Sequence, residues 1–384
     1  MEQGSRIGII GAGPAGCCCA YFIKKLLPNV SVSLIDYGMP MRTILPTGGG
    51  RCNLAHSEFD FKELAGNYPR GEKFLYSILS KFGTGDTLNL FDELGIQTYT
   101  QDDGRIFPVS NDSAEIQQKF LHAIKGCKII KEKALRIESG ENNIKVVTDM
   151  NSYKFDKLVI STGGHSGYDM VTRLGVSIVE PRPSLVGYVT EEQFKNISGI
   201  SVKNVLNHET GLCGDILFTH FGISGPLIYK ISSIKARDKF PFGLSFDFGV
   251  FGDDFQQILN DNPHKYIKNI LSEQIPAKLS EYVLTKLDID VNTPSHKING
   301  AMREAILNEL HNFTARITAT RKDGETVTAG GVSLDKINSK TMESKEVRNL
   351  YFCGEIIDVD GFCGGFNLQN CWSTAFVAAN GVCG

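Results

Sequence analysis

Glycines at fixed spacing follow a short apolar segment near the start of the chain. Residues 7–10 have the composition of a buried strand, and the pattern G-x-G-x-x-G comes next, before a helical stretch that reaches residue 27. In this context the first glycine allows a tight turn, the second lets a pyrophosphate approach the backbone, and the third lets the helix pack on the strand. The pattern predicts a dinucleotide site at a helix N-terminus. Its residues are Gly11, Gly13, Pro14, Ala15 and Gly16.

An acidic residue completes this first site. Residues 30–35 alternate apolar and polar side chains, as a strand does, and Asp36 follows them twenty positions after Gly16. A carboxylate there accepts hydrogen bonds from a ribose 2'-hydroxyl and repels a 2'-phosphate. The sequence therefore predicts FAD or NAD as the ligand. The alternative is a glycine-rich structural turn beside an unrelated acid.

Two further glycine-rich loops favour FAD over NAD. A strand is predicted at 350–353 and the last helix at 370–379, so we expect two glycines of the second loop to lie just before a helix N-terminus. Backbone N–H groups there would stabilise the negative charge of a reduced flavin, a need that NAD does not share. Each loop alone is equally consistent with a structural turn. The predicted cofactor-binding residues are Gly48, Gly49, Gly50, Arg51, Cys52 and Asn53 in the first loop, and Gly354, Glu355, Gly364, Gly365, Phe366, Asn367 and Leu368 in the second.

Weaker candidates come from the middle of the chain. Thr162, Gly163 and Gly164 follow a predicted strand, 158–160, and we expect them at the ligand-binding edge of the sheet. Leu135 lies among short strands between 128 and 160, and by analogy it matches the residue whose backbone meets adenine in FAD folds. His220 is the candidate proton donor or acceptor, because the ordinary pKa of histidine suits that task. Packing in a glycine-rich turn is its alternative role.

The order of predicted elements indicates an α/β fold with an interrupted cofactor domain. We predict a Rossmann-like FAD-binding domain formed by residues 1–184 and 326–384. An inserted domain, 185–325, has strands at about 185–252 and helices at about 253–312. A second glycine fingerprint is absent from the sequence. Either NADH or NADPH therefore reaches the flavin directly as a transient donor, or a small-molecule substrate is oxidised and oxygen reoxidises the flavin.

Composition excludes several other classes of protein. The 384 residues carry 40 Lys and Arg against 43 Asp and Glu, and this balance argues against nucleic acid as the main partner. The sequence has no apolar run long enough for a membrane span and no targeting signal, so a cytoplasmic location is expected. Ten cysteines without a C-x-x-C pair argue against a structural metal site. The oligomeric state is not predicted.

Motifs along nearly the whole chain resemble the BaiN or YhiN type of bacterial flavoprotein, the aminoacetone oxidase-like FAD-binding enzymes. The resemblance implies a cofactor domain of the glutathione reductase type and a contact from Glu355 to ribitol hydroxyls. It also implies either reduction of an activated double bond, as in the bile acid branch, or amine oxidation with peroxide release. A flavin-bound redox sensor without turnover is the alternative of a different class. The matching segments are 11–16, 47–54, 104–110, 161–164, 217–226 and 328–372.

Three departures from the family pattern concern substrate and donor. The loop after Gly164 is shorter than is usual, Thr43 stands where a lysine is common, and Ala55 and His56 stand where a Thr-Asn pair is common. The preferences of relatives for substrate and electron donor are therefore not carried over to this chain.

Overall fold

The structure is a computed structural model that describes residues 5–141, 143–321 and 327–384. Its strands are β1 (Arg6–Ile10), β2 (Ser31–Ile35), β3 (Ala55–His56), β4 (Thr98–Thr100), β5 (Arg105–Pro108), β6 (Lys128–Ile130), β7 (Ala134–Ser139), β8 (Ile144–Thr148), β9 (Ser152–Phe155), β10 (Lys157–Ile160), β11 (Ile178–Ser184), β12 (Tyr188–Thr190), β13 (Ser201–Asn207), β14 (Cys213–Thr219), β15 (Gly222–Ser224), β16 (Phe242–Asp247), β17 (Phe313–Thr320), β18 (Val327–Val332) and β19 (Leu350–Phe352). Its α-helices are α1 (Pro14–Leu26), α2 (Phe61–Ala65), α3 (Glu72–Leu79), α4 (Thr84–Glu93), α5 (Ser113–Ala123), α6 (Tyr168–Thr172), α7 (Pro226–Ile234), α8 (Phe255–Asp261), α9 (Ile267–Leu271), α10 (Ala277–Lys286), α11 (Gly300–His311) and α12 (Phe366–Cys383).

The chain divides into two compact units. The first comprises Met1–Arg182 and Val327–Gly384, and the second comprises Pro183–Thr326. The sequence placed the first boundary between residues 184 and 185, two positions later than the structure does. The second predicted boundary, between residues 325 and 326, lies outside the described residues.

A parallel sheet forms the centre of the first unit. Its strand order is β19-β10-β1-β2-β6, and every neighbouring pair is parallel. Strands β1, β2, β10 and β19 are apolar and largely buried, as expected when helices cover both faces of a parallel sheet, whereas the edge strand β6 has two of its three residues exposed. Because the strands are parallel, the turns after β1, β2, β10 and β19 emerge at one edge. The predicted α/β fold with a Rossmann-like cofactor domain is confirmed.

Smaller sheets of the first unit were only partly predicted. The hairpin layer, β7-β8-β9, lies within the predicted range of 128–160, although β9 was not foreseen. Helical periodicity predicted helices between 54 and 125, and α2 to α5 lie there, but so does an antiparallel sheet of order β3-β5-β4. These strands are two to four residues long, too short to show an alternating pattern.

A closed barrel forms the sheet of the second unit. Its strand order is β12-β15-β14-β13-β16-β17, and β17 closes the barrel by pairing with β12. The predicted order of strands followed by helices holds for β12 to β16 and for α8 to α11. The prediction missed α7 within the strand region and β17 after the helices. Closure is a long-range pairing, so a local pattern does not reveal it.

Helix α12 begins earlier and ends later than the sequence predicted. It starts at Phe366, so Phe366, Asn367 and Leu368 belong to its first turn and not to the preceding loop. It continues through Gly381 to Cys383, beyond the predicted end at residue 379. A Cβ at Gly381 would collide with the backbone of Thr341, so this glycine permits close packing. Within the described ranges, α12 and the other helices are too short or too polar to cross a membrane.

Candidate functional site

The turn between β1 and α1 has the conformation that its glycines predicted. Gly11 has a φ of +99°, and a Cβ there would collide with the Ser161 carbonyl group. A Cβ at Gly16 would collide with the carbonyl oxygen of Gly11, so α1 packs closely against the turn. Gly13 is the N-cap of α1 and leaves the first turn without a side-chain cap. The unpaired N–H groups of that turn provide an anion site.

Asp36 is fixed beside this turn. Its Oδ2 accepts a hydrogen bond from the Ala12 N–H at 2.7 Å, and its Oδ1 accepts one from the Gly38 N–H at 2.8 Å. The side chain is partly exposed, and each carboxylate oxygen has a second lone pair. The backbone contacts therefore orient the carboxylate and leave it able to accept from ribose hydroxyls.

The loop after β10 lies against the first glycine turn. The Ser161 hydroxyl contacts the carbonyl oxygens of Ile10 and Gly11 at 3.0 Å each. Gly163 has a φ of +76°, and a Cβ built there has no neighbour within 4 Å, whereas Gly164 packs on Thr328. The Thr162 hydroxyl donates to the Ser166 carbonyl group at 2.7 Å, which closes the shortened loop. Of the three predicted residues, Gly163 faces open space.

The glycine triplet forms an open, left-handed turn. Gly48, Gly49 and Gly50 have φ values of +58°, +70° and +86°. A Cβ at Gly49 or Gly50 would meet nothing within 4 Å, so a ligand can approach the backbone there. Arg51 lies over the ring of Phe107, 4.3 Å from its centroid, and this contact holds its cation beside the turn.

The two predicted glycine loops meet, although about 300 residues separate them in sequence. The Asn53 amide oxygen accepts a hydrogen bond from the Gly365 N–H at 2.9 Å, with the amide assigned so that its nitrogen faces the carbonyl groups of Ala55 and Ile106. Gly365 itself packs directly on the Ala55 backbone. The Trp372 indole N–H donates to the Leu54 carbonyl group at 3.0 Å. Residues 53–55 therefore bind the start of α12.

The first turn of α12 presents unpaired donors. Gly365 is its N-cap, with a φ of +96°, and no side chain caps the turn. Asn367 accepts from the Gly361 N–H and donates to the Gly361 carbonyl group, each at 2.8 Å, so its side chain fixes the preceding loop. Phe366 is buried and stacks on His56 with ring centroids 4.8 Å apart, and Gly364 packs beside both rings. If Phe366, Asn367 and the half-buried Leu368 bind the cofactor as predicted, they would do so through their backbone N–H groups.

Glu355 has an unusual environment at the same sheet edge. Gly354 packs against Ala15 and donates its N–H to the Thr374 hydroxyl at 2.9 Å, which ties the loop to both α1 and α12. No described residue donates a hydrogen bond to the Glu355 carboxyl group, which is partly exposed. Burial, and secondarily the charge of Asp360, raises its pKa to about 7. A carboxyl group in this state is suited to hydroxyl donors from a ligand.

Three other predicted residues contribute differently or lie elsewhere. Cys52 is fully buried, and burial raises the pKa of its thiol to about 12, so it packs as a neutral group. Leu135 lies in β7 at an irregularity of the pairing with β8 and is 47% exposed. His220 belongs to the second unit, in the turn between β14 and β15. His220 is exposed, and the centroid of its ring lies 5.3 Å from that of Phe221.

The ion pair of Asp360 and the burial of Asn370, both near the second loop, were not predicted from the sequence. Asp360 is fully buried and forms an ion pair with Arg70 through two hydrogen bonds. Asn370 is fully buried on α12, and neither its amide nitrogen nor its amide oxygen has a partner within the described part of the chain. Arg70 is 290 positions from Asp360 in the sequence, so no local motif marks their ion pair. No local motif marks Asn370 either.

The assembled residues fit FAD. Open glycine backbone, an uncapped helix start, an oriented Asp36 and an unpaired Glu355 all lie at the carboxyl edge of one parallel sheet. Doubly wound folds bind dinucleotides at this edge. Among the described residues, no cluster of His, Cys, Asp and Glu has the arrangement of a metal site.

Comparisons with known proteins extend over nearly the whole chain. The HI0933-like protein Rossmann domain matches residues 5–381. Ribosomal RNA dihydrouridine synthases of Haemophilus influenzae and Escherichia coli are 31% and 30% identical to the chain, with 99% of this chain and 98% of each relative covered. The 3-dehydro-bile acid delta(4,6)-reductase of Clostridium scindens is 27% identical, with 97% and 98% covered. The open conformation of a flavocytochrome c3 fumarate reductase has a similar fold, with a TM-score of 0.51 and 12% identity over 100% of this chain and 78% of that one.

Proposed function

The chain belongs to the HI0933-like family and is an FAD-dependent oxidoreductase, and from this premise we propose that it reduces a carbon–carbon double bond conjugated to a carbonyl group, with uridine in RNA as the substrate. The predicted family and enzyme class are confirmed by the full-length match. The match does not identify the substrate, and uridine is our proposal.

The type of bond is what the named relatives have in common. Forming dihydrouridine saturates the double bond of uracil that is conjugated to its C4 carbonyl group. A 3-dehydro-bile acid delta(4,6)-reductase is named for double bonds conjugated to a 3-oxo group. Uridine is preferred here because the dihydrouridine synthases have the higher identity, 31% and 30% against 27%.

The observation that carries the flavin site is the joining of the two glycine loops at the start of α12, and the reductive direction rests on the names of the relatives. The bond from Gly365 to Asn53 holds the uncapped helix N-terminus beside the open triplet. When bound, FAD supplies hydride transfer from its isoalloxazine ring. The positive end of α12 would stabilise the negative charge of the reduced ring in advance, which would help the ring to accept hydride from a donor.

Different residues of the first unit would bind different parts of the cofactor. Gly13 and the start of α1 would bind the pyrophosphate, and Asp36 would accept from the adenosine ribose. Glu355 would accept from ribitol hydroxyls, while Gly49 and Gly50 leave room for the ring system. We further propose that NADH or NADPH acts as a transient donor, because the sequence has no second dinucleotide fingerprint.

Anaerobic turnover of purified, FAD-loaded protein tests this function. The expected result is oxidation of NADPH or NADH in the presence of a short uridine-containing RNA, with a product 2 Da heavier per reduced uridine by mass spectrometry. An RNA of the same length without uridine is the matched control and should give no turnover.

Three outcomes would contradict the proposal. Reduction of a 3-oxo-4-ene steroid without reduction of RNA would move the substrate to the steroid class. Peroxide release from an amine in air, without reduction of either double bond, would identify an amine oxidase. A flavin that no donor reduces would identify a redox sensor.

A further inference from the structure

An aromatic and basic surface lies on the second unit, in the segment that links α7 to β16. We call this segment with the end of α7, residues 230–242, together with the buried Tyr188 that packs against it, the Phe240 surface. Phe240 is 42% exposed, although it is a large apolar side chain, and Ile234, six positions earlier, is also 42% exposed. Isolated exposed apolar residues are ordinary, but a supported aromatic ring among cations is a recognition feature.

Two further aromatic rings, those of Phe242 and Tyr188, pack against Phe240. Phe240 stacks on Phe242, with ring centroids 5.5 Å apart and planes 20° apart. Tyr188, which is fully buried, meets Phe242 edge-on at 5.6 Å and Phe240 at 6.4 Å. Phe240 is therefore held in place by two inner rings while part of it stays in solvent. A ring fixed in this way loses little conformational entropy when a partner stacks on it.

The segment that carries these rings is rich in basic residues. Four cations and one acid lie within the segment, in a chain whose overall charge is −3. Lys235 contacts Asp238 at 2.8 Å and also lies 5.4 Å from the centroid of Phe242. Arg237 and Lys239 are exposed on either side of Asp238. The cations are Lys230, Lys235, Arg237 and Lys239.

We propose that the Phe240 surface binds single-stranded RNA, with a base stacked on Phe240 and phosphate groups beside Arg237 and Lys239. This inference rests on the proposed function and deepens it, because it identifies where the chain holds an RNA substrate. Proteins that bind single strands combine stacking aromatic side chains with cations that follow the backbone, and the surface offers both. The overall charge argued against nucleic acid as a partner, but an average over the chain does not detect a local basic segment.

Charge favours this occupant over a second copy of the chain. An interface between two identical copies would bring four cations against four cations if the surface paired with itself. RNA supplies the opposite charge along its whole length. Self-association through Phe240 is therefore an outcome that the experiment must exclude.

Fluorescence anisotropy with a labelled, uridine-rich RNA of ten nucleotides, added to the FAD-loaded protein, tests the inference. Phe240→Ala should weaken binding about 10-fold, which is in the range measured for removal of one stacking ring. Phe240→Leu should weaken binding similarly, whereas Phe240→Trp should retain it. Arg237→Gln combined with Lys239→Gln should lower the slope of log Kd against log salt by about 1.4, that is, about 0.7 for each lost phosphate contact.

A matched control uses an exposed aromatic and a cation elsewhere on the same unit. Tyr266 is 45% exposed between α8 and α9, and Lys278 is exposed on α10. Tyr266→Ala combined with Lys278→Gln should leave both the affinity and the salt slope unchanged. Equal binding by the Phe240→Ala variant and this control would overturn the inference. A concentration-dependent change in oligomeric state caused by Phe240→Ala would overturn it as well.

Failure of this inference and failure of the proposed function give different results. If the Phe240→Ala variant forms dihydrouridine with unchanged KM for RNA, the function stands and the surface is wrong. If the protein binds RNA through Phe240 but forms no dihydrouridine, the surface stands and the function is wrong. If both are right, Phe240→Ala raises KM for RNA about 10-fold and leaves kcat unchanged, because Phe240 would act in binding and not at the reacting bond.

Discussion

The two ends of the predicted cofactor site are built in different ways. The adenosine end lies within residues 6–36, and Asp36 is oriented there by nearby backbone groups of Ala12 and Gly38. The ring end combines residues 48–55 with residues 354–368, and its hydrogen bonds join segments about 300 positions apart. The groups that would contact the ligand at the first end come from one short segment, although the loop after β10 packs against it, whereas those at the second end come together only after the whole unit has folded.

This difference predicts how each end responds to mutation. At the adenosine end, a change at Gly13 or at the Asp36 side chain should affect ligand binding with a smaller effect on folding, because a Cβ at Gly13 meets no backbone atom and Asp36 is partly exposed. At the ring end, the residues that shape the site also join distant segments. The same change there should therefore lower stability and cofactor affinity together.

The largest expected effect comes from Gly365→Ala at the ring end. Gly365 has a φ of +96°, and a Cβ would collide with the Ala55 backbone, which has no freedom to move away like a flexible side chain. We expect the free energy of unfolding of the FAD-free protein to fall by about 3–5 kcal/mol, from left-handed strain and overpacking combined. Urea denaturation measures the change, and FAD titration should show loss of binding.

Gly13→Ala is the matched change at the adenosine end. Gly13 has a φ of −75°, and a Cβ there would meet only Thr43 Oγ1, at an ordinary 3.7 Å. We expect a change of less than about 1 kcal/mol in unfolding free energy, together with at least a 10-fold loss of FAD affinity because the pyrophosphate needs close approach. Equal destabilisation by the two alanines would refute the contrast between the ends.

Local structure also explains how much of the molecule could be predicted from sequence. The strand, turn and helix around Gly11 and the acid at Asp36 lie within one short segment, so their types and spacing predict their arrangement. The second loop was found from its glycines, but the start of α12 was placed four residues late, at Asn370 instead of Phe366. The partner of Asp360 and the closing strand β17 depend on pairings between distant segments, which no local pattern contains.

The second largest effect should come from Asp360→Asn. Asp360 is fully buried and its charge is compensated by Arg70, which is 15% exposed. Removing one partner leaves a poorly solvated cation, and we expect a loss of about 3 kcal/mol in unfolding free energy. Asp36→Asn is the matched change at the adenosine end. It should cost about 1–2 kcal/mol, less than Asp360→Asn, since Asp36 is partly exposed and the amide oxygen replaces one of its two acceptors, while the amide nitrogen faces the other backbone N–H group. Losses of similar size from the two variants would contradict the comparison.

The smallest effect, and the most specific, is a pH dependence of stability from Glu355. Its pKa in the folded chain is about 7, above the ordinary value of 4.5, so the folded state holds the proton more tightly than the unfolded state does. The stability that this provides is fully present below pH 4.5 and is lost as the pH rises through 7. In Glu355→Gln this loss is absent, because the amide does not titrate.

The FAD-free Glu355→Gln variant should therefore gain stability relative to the native protein as the pH rises from 4.5 to 8. The expected gain is about 1–3 kcal/mol, reduced from the full shift because the carboxyl group is partly exposed. Urea unfolding at several pH values measures it, with Glu141→Gln, an exposed acid of the same unit, as the control that should show no such trend. If the difference in unfolding free energy between Glu355→Gln and the native protein does not change with pH, the carboxyl group is solvated like a surface acid. The ring end would then lack the poorly solvated carboxyl group, without a donor among the described residues, that distinguishes it from the adenosine end, where the Ala12 and Gly38 N–H groups donate to Asp36.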